Sequence, residues 1–540
     1  MYLKEGRFKL NKKRSIFIRL NTAIILLASG LSSSISLAAE ELTPGFNYKI
    51  PESIMTPNKV ETSIGTLDFY DGLPSDETAK KVFDYLDTAR GMQVFLSAIP
   101  AASVEAMYLG NRKMGVEASN YVLIMDDLMD SPALFLTGNT DTVYVSGILD
   151  LKKDGPTVVE IPAGSGPGTV NDAFFRFVTD MGGVGPDRGK GGTYLILPPD
   201  YKGDLKYKEG SETVEMEIGG VKKKVFVSKS ASYINWLILR GFLVDGKPDV
   251  ASKMFREGLK IYPLSQANNQ PEMHFINGSG KFFNTIHAND YHFFPEIDAV
   301  IQREPVELFE PELRGLMASI GLQKGKKFAP DARMKEILTD AMKIGSATAR
   351  ALYFNTRMPD AFKWEGSRWK TGFVGGDYNW LIDGGKGGRN LDARTYFFYM
   401  ATVNTPAMAA KFIGKGSQYA FGDSDKDGNF LYGDKNYKLS IPANVPARDF
   451  WSIVVYDPQT RSQLQTSQRF PSKNNKKAGL VENADGSVDL YFGPKPPEGK
   501  EGNWIETVPG KGWFVLLRLY GPLDAWFDKQ WKPGEFELVE

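Results

Sequence analysis

Trp513-Phe514-Val515-Leu516-Leu517-Arg518-Leu519-Tyr520 decides the fold. The run follows the turn residues Pro509-Gly510 and is apolar on both of its faces apart from one arginine. A stretch with that character reads as a long central strand, covered on both sides. Upstream, Ser452 to Tyr456 has the same two-faced apolar character. Tyr437, Leu439 and Ile441 alternate with polar residues, as do Val488, Leu490 and Phe492, which is the period of a half-buried strand. Asp427-Gly428, Asp485-Gly486 and Pro509-Gly510 supply the turns. The last 150 residues are therefore predicted to be β.

Moving outward, short β-like runs also fill the first half: Tyr121–Met125, Thr142–Ile148, Thr157–Ile161, Phe174–Val178, Thr193–Leu197 and Lys224–Val227. Their spacing, with Gly and Pro between them, reads as a sandwich or barrel. Helical signals interrupt twice. Ser75 is placed to cap a helix carrying Ala79, Val82, Phe83 and Leu86 on one face. Between about 250 and 360, Pro311 opens a helix that Gly321 ends, and Ala332 to Phe354 keeps helical apolar spacing. The fold class expected is mainly β with a helical connector between two β domains. The boundaries are 39–265, 266–395 and 396–540.

The N-terminus has a different character. Lys4, Arg7, Lys9, Lys12, Lys13, Arg14 and Arg19 precede a short apolar stretch, Leu20 to Leu31, and then Ser36-Leu37-Ala38. Basic end, apolar middle and a small-x-small site are the order of a signal peptide, residues 1–38, cleaved after Ala38. The apolar stretch is shorter than the ~20 residues a membrane span needs. The mature protein is thus expected to be periplasmic or secreted, with no transmembrane segment. Removing seven bases and one acid from a chain of 65 and 65 leaves 58 bases against 64 acids. A mildly acidic body without a basic run argues against nucleic acid as a partner. The absence of Cys removes disulfides, iron–sulfur clusters and thiol nucleophiles, and suits an oxidising compartment.

Four features are candidates for chemistry. Asp423-Ser-Asp425-Lys-Asp427-Gly428, closing at Asp434, has the alternating acids and sixth-position Gly of a calcium loop. Its last ligand is Asp rather than Glu and its exit looks like a strand, so an Asp/Gly-rich hairpin is the other reading. Calcium is the one cofactor considered. His274, His287 and His292 lie close in sequence, but a separation of five puts the last two off one helical face and on opposite strand faces. Gly138-Asn139-Thr140-Asp141-Thr142-Val143-Tyr144 is a polar run entering a strand. It presents either donors and an acid to a cleft or caps for buried backbone. Late aromatics, Trp451, Tyr491, Trp504, Trp513, Trp526 and Trp531, are either sugar-stacking platforms or core. No P-loop, dinucleotide fingerprint, G-x-S-x-G or H-E-x-x-H occurs.

The chain resembles the bacterial family that pairs the DUF1254 and DUF1214 domains. The first half resembles DUF1254 through Asn139-Thr-Asp141-Thr142-Val-Tyr144, Gly192-Thr-Tyr194-Leu195 to Pro198-Pro199, and Trp236-Leu-Ile-Leu-Arg240. The second resembles DUF1214 through Asn404-Thr-Pro406, Phe450-Trp451-Ser452, Tyr456-Asp457, Tyr491-Phe492-Gly493-Pro494, Asn503-Trp504 and Arg518-Leu-Tyr520-Gly-Pro522. The resemblance implies two jelly-roll-like β-sandwich domains and carries no established reaction. Two functions are therefore weighed. One is an envelope or periplasmic protein binding a glycan or other envelope component, with Asn139 and Trp504 in the site and self-association into a homo-oligomer open. The other is a cofactor-independent hydrolase or lyase acting on a small molecule or glycan. It would use Asp141 as acid or base, Tyr144 as donor and Arg240 as charge partner.

Overall fold

Alternation along three strands sets the architecture. In Thr142–Asp150, Val143, Val145 and Leu149 enter one apolar cluster while Tyr144 and Ile148 enter another. In Ile234–Phe242, Leu237 and Leu239 divide in the same way from Trp236 and Ile238. In Gly512–Pro522, Val515, Leu517 and Leu519 face one core and Phe514 and Leu516 the other. Period-two geometry sends successive side chains to opposite faces. Each of these sheets is therefore buried on both sides, which explains the unbroken apolar runs.

The computed structural model describes residues 42–209, 212–477 and 479–539. The signal segment and the Ala38 cleavage site lie outside the described residues. Two units are distinct, residues 1–79 and Lys80–Glu540. In the described part of the first, Lys59–Thr62, Gly65–Tyr70 and Leu73–Pro74 form a three-stranded antiparallel sheet. The Ser75 hydroxyl accepts from the Thr78 amide, capping a helix that runs Asp76–Lys113. That helix is apolar and long enough to cross a membrane by composition, but 67% of its most apolar window is buried inside the protein.

The second unit contains two sandwiches. The first has a six-stranded inner sheet in the order His274–Asn277, Tyr121–Ile124, Thr142–Asp150, Ile234–Phe242, Pro167–Asp172, Phe177–Gly182. Its outer sheet is ordered Thr213–Ile218, Val221–Lys229, Gly192–Leu197, Thr157–Ile161, Lys260–Pro263. The second has an inner sheet of Ser417–Gly422, Gly512–Pro522, Ala447–Tyr456 and Ser472–Asn474, with Leu431–Tyr432 beside Gly512–Pro522. Its outer sheet is Trp504–Glu506, Val488–Gly493, Asn436–Ile441, Glu537–Val539. The mainly β organisation in two domains agrees with the expectation. Gly192–Leu197 runs parallel to Val221–Lys229 and Val488–Gly493 parallel to Trp504–Glu506.

The helical stretch is packed as core and not only as a link. Leu338, Met342, Ala349 and Tyr353 of Ala332–Phe354 share one cluster with Val94 to Met107, with Phe293 to Val300, with Tyr396 to Met400, and with the inner faces of both sandwiches. Asp331 caps Ala332–Phe354 by accepting from the Met334 amide at 2.7 Å. The expected strand at 174–178 begins later, at Phe177. The Asp172 carboxylate accepts from the Phe174 and Arg176 amides, both at 2.8 Å, and holds a turn there.

Candidate functional site

A cavity of about 40 Å³ lies where the inner faces of the two sandwiches meet. Arg240 enters it from one side. It sits opposite Tyr144 in the strand register, and its guanidinium lies 5.4 Å from the centre of the Tyr144 ring. Gly166 allows this strand its close neighbour. Its amide donates to the Arg240 carbonyl at 2.8 Å, and a Cβ there would stand 2.7 Å from the same oxygen. Asn139 completes this wall by donating to the Tyr144 hydroxyl at 2.6 Å.

The opposite wall comes from the strand that decides the fold. Arg518 and Tyr520, two residues apart, face the cavity with Leu516. Tyr419 pairs with Arg518, and Ser417 with Tyr520. Arg518 lies 5.7 Å from the Tyr456 ring centre and donates to the Thr137 carbonyl. Its Nη1 and the Tyr520 hydroxyl are buried and have no hydrogen-bond partner among the described residues. Among those residues, neither Arg240 nor Arg518 has a carboxylate within 4.0 Å. Phe373, Phe397 and Met408 close the space.

One carboxyl near this site was not a candidate from sequence. Asp180, on Phe177–Gly182, is 9% exposed. One of its oxygens accepts from the Thr405 hydroxyl at 2.8 Å and the other has no partner among the described residues. Burial pushes its pKa up to about 7, against the hydrogen bonds of Thr405 and Thr169 and the charge of Arg240.

The predicted residues divide. Asn139, Tyr144 and Arg240 share the cavity. Asp141 does not line it. Its Oδ1 accepts from Asn474 at 2.8 Å and from Thr140, and it is fully buried. The rest of its run binds the second sandwich as well. The Thr140 and Ser472 hydroxyls are 2.7 Å apart, Lys477 donates to the Thr140 carbonyl at 3.0 Å, and the Tyr456 hydroxyl donates to the Gly138 carbonyl at 2.7 Å. Thr137, at φ 48°, donates its amide to the Arg461 carbonyl at 3.0 Å. The stretch 137–141 is thus a clasp between the two sandwiches. Trp504 lies away from the cavity, its indole N–H donating to the Gly493 carbonyl at 2.9 Å. Trp451, Trp513, Trp526 and Trp531 are core.

The Asp-rich loop does not bring its four acids together. Asp423 is buried and bound to the Lys370 ammonium at 2.7 Å. Asp425 accepts from the Asp427 and Asn429 amides, while Asp427 and Asp434 are exposed. Ser424 bridges to Phe430, which makes the loop a hairpin turn. Among the described residues no group of three or more His, Asp or Glu is disposed to hold a metal. The histidines also part company. His274 stacks on Tyr121 at 4.2 Å, His292 pairs with Asp290 in solvent, and His287 is buried among aromatics.

The signal that Arg518 shares with Arg240 was present in sequence. Each is a charged residue in a strand that is apolar on both faces. Asp180 had no such signal, because it stands where the apolar run Phe174–Val178 gives way to a Gly-rich stretch and reads as a turn residue.

Fold and site together describe a two-sandwich protein with a basic cavity at the junction. Residues 107–263 match the model of a family described as Protein of unknown function (DUF1254), and residues 416–524 that of Protein of unknown function (DUF1214). Both domains are present in this one chain, the pairing that its sequence resembles. No curated protein matches it. The VPA0106 protein from Vibrio parahaemolyticus has a similar crystal structure, with TM-score 0.50 and 16% identity over 84% of this chain and 100% of that one. A crystal structure of an uncharacterized protein from Burkholderia cenocepacia matches with TM-score 0.38 and 11% identity, over 85% and 96%. At 16% identity the likeness to the Vibrio parahaemolyticus protein is one of fold alone.

Proposed function

We propose that this is an exported envelope or periplasmic protein whose junction cavity receives the anionic group of a small molecule or envelope component. The observation that carries the reading is the pair Arg240 and Arg518: two guanidiniums facing one space, neither with a carboxylate partner among the described residues. Asp180 and Asp141 act on Arg240 and Arg518 only from beyond contact distance, so direct hydrogen-bonding room on both guanidiniums is left for an anion supplied from outside. Guanidinium suits the flat, two-oxygen geometry of a carboxylate. Each water needs roughly 10–15 Å³ of such space, so 40 Å³ suits a carboxylate-sized group and not a sugar ring. A glycan ligand would have to present an acidic substituent.

Melting curves and calorimetry of the mature protein with acetate, and with acetamide as its neutral counterpart, test this. Acetate should bind and raise the midpoint while acetamide does not. Arg518→Gln should weaken acetate binding about 10–100-fold, the effect of losing a charge-assisted hydrogen bond of roughly 1.5–3 kcal/mol. Arg240→Gln, from the other wall, should do the same. Equal binding of acetate and acetamide would remove the basis of the reading.

A second reading, a cofactor-independent hydrolase or lyase, draws support from Asp180. A carboxyl held near pH 7 close to a cation is suited to proton transfer at neutral pH. On that reading Asp180→Asn abolishes turnover of an envelope-derived acid, followed by mass spectrometry, while acetate still binds. Unchanged turnover in Asp180→Asn would exclude Asp180 as the proton-transfer group.

A further inference from the structure

The helix Leu391–Met400 turns different faces to two spaces. Phe397 lines the junction cavity, whereas Arg394 and Phe398 line a second pocket of about 350 Å³. An aromatic wall stands between them. The Trp380 ring lies 5.6 Å from Phe373, 5.1 Å from Phe397 and 5.1 Å from Phe398. Phe373 belongs to the inner space, and Trp380 and Phe398 to the outer one.

The outer pocket has two characters. Phe174, Phe309, Leu313 and Leu316 make it apolar on one side. The other side carries donors. Arg394 Nε, Arg176 Nη2 and Trp380 Nε1 are buried and have no hydrogen-bond partner among the described residues, against one such acceptor in the lining, Asn404 Oδ1. Both Arg394 and Arg176 stand 6.0 Å from the Phe174 ring centre, so one ring joins the cationic and apolar sides.

The charges around it are uneven. Asp172 neutralises Arg176 at 2.7 Å. Among the described residues, Arg394 and Arg389 have no carboxylate within 4.0 Å. Glu310 and Glu312 also line the pocket, but they are exposed and solvent screens them. Burial, and then the nearby Arg389, hold the Arg394 guanidinium down at about 10, as expected of an uncompensated cation.

We infer that this pocket binds an amphipathic organic anion, a carboxylate on an apolar body of medium length. Arg394, Arg176 and the Trp380 N–H hold the head, and Phe174, Phe309 and the two leucines cover the tail. A volume of 350 Å³ falls within the range of about 300–1,000 Å³ typical of small-molecule sites, which the junction cavity does not reach. The inference therefore stands apart from the function proposed above.

Calorimetry of the mature protein with octanoate, octanol and acetate tests it. Octanoate carries head and tail, octanol the tail alone, and acetate the head alone. Octanoate should bind at least tenfold more tightly than either. Arg394→Gln should weaken octanoate at least tenfold and leave octanol unchanged. Leu313→Trp, which fills the apolar side without touching a charge, should weaken octanoate and octanol together, and it serves if Arg394→Gln does not fold. Arg518→Gln should bind octanoate as the parent does. Octanoate bound no better than octanol would overturn the inference. So would octanoate binding that survives Leu313→Trp, or that is lost in Arg518→Gln.

Discussion

Asp180 and His287 show how single buried groups set opposing pH dependences. The Asp180 pKa is raised from 3.8 to about 7 by burial. Between those values the folded protein keeps a proton that the unfolded chain has released, so this group's contribution falls as pH rises from about 4 to 7. The loss is on the order of 4 kcal/mol once complete. His287 acts the other way. Burial, then the charge of Arg461, lowers it from 6.5 to about 3. Its contribution is present above pH 6.5 and is lost as pH falls through that window. Glu296, raised by burial to about 7, adds to the Asp180 direction. The parent's stability is a sum of these, so the informative measurement is a difference. Asp180→Asn should gain on the parent as pH rises from 4 to 8 in denaturant titrations. A constant difference across that range would contradict the assignment. At this scale the polar run from Asn139 to Tyr144, and Arg240 at the end of an apolar run, were legible as candidates, and the structure brings Asn139, Tyr144 and Arg240 to one cavity. Sequence did not show that one Asp141 oxygen turns to Asn474 and Thr140, because a carboxylate that holds an interface and one that lines a cleft look alike in one dimension.

The Asp423 hairpin and the strand Lys370 bridges to show what an element needs beyond its pattern. Alternating acids and a Gly were legible, but their counter-ion was not, because Lys370 is 53 residues away. The Lys370 ammonium also donates to the Tyr353 and Phe354 carbonyls at 3.1 and 3.2 Å, at the end of Ala332–Phe354. The pair therefore pins the hairpin to a helix terminus. Lys370→Met should cost about 3–5 kcal/mol by leaving a buried unpaired carboxylate. Adding Asp423→Leu should recover much of that loss, as read from chemical denaturation. A chelator should leave the melting midpoint unchanged. A chelator-dependent midpoint would restore the calcium reading. The strand positions were legible elsewhere because period-two burial is local. The start of Phe177–Gly182 was not, because the Asp172 side chain sets it.

Across the whole molecule, one apolar cluster takes residues from both sandwiches and the helices between them. Sequence showed two β halves and the helices, but long-range packing turned a connector into a shared core. Residues 80–540 should therefore unfold in one calorimetric transition. Either half expressed alone, 80–265 or 396–540, should fail to reach a cooperatively folded state, because its inner sheet would face water. Two separate transitions, or a well-folded isolated half, would show the junction to be dispensable.

The clasp at 137–141 has a consequence for how such chains change over generations. Thr137, Gly138, Thr140 and Asp141 find their partners in Arg518, Arg461, Tyr456, Ser472, Asn474 and Lys477. The two stretches are lock and key within one polypeptide. A substitution in one sets the terms on which the other varies, and a chimera joining halves of distant relatives must import both sides. The heritable unit is the pair.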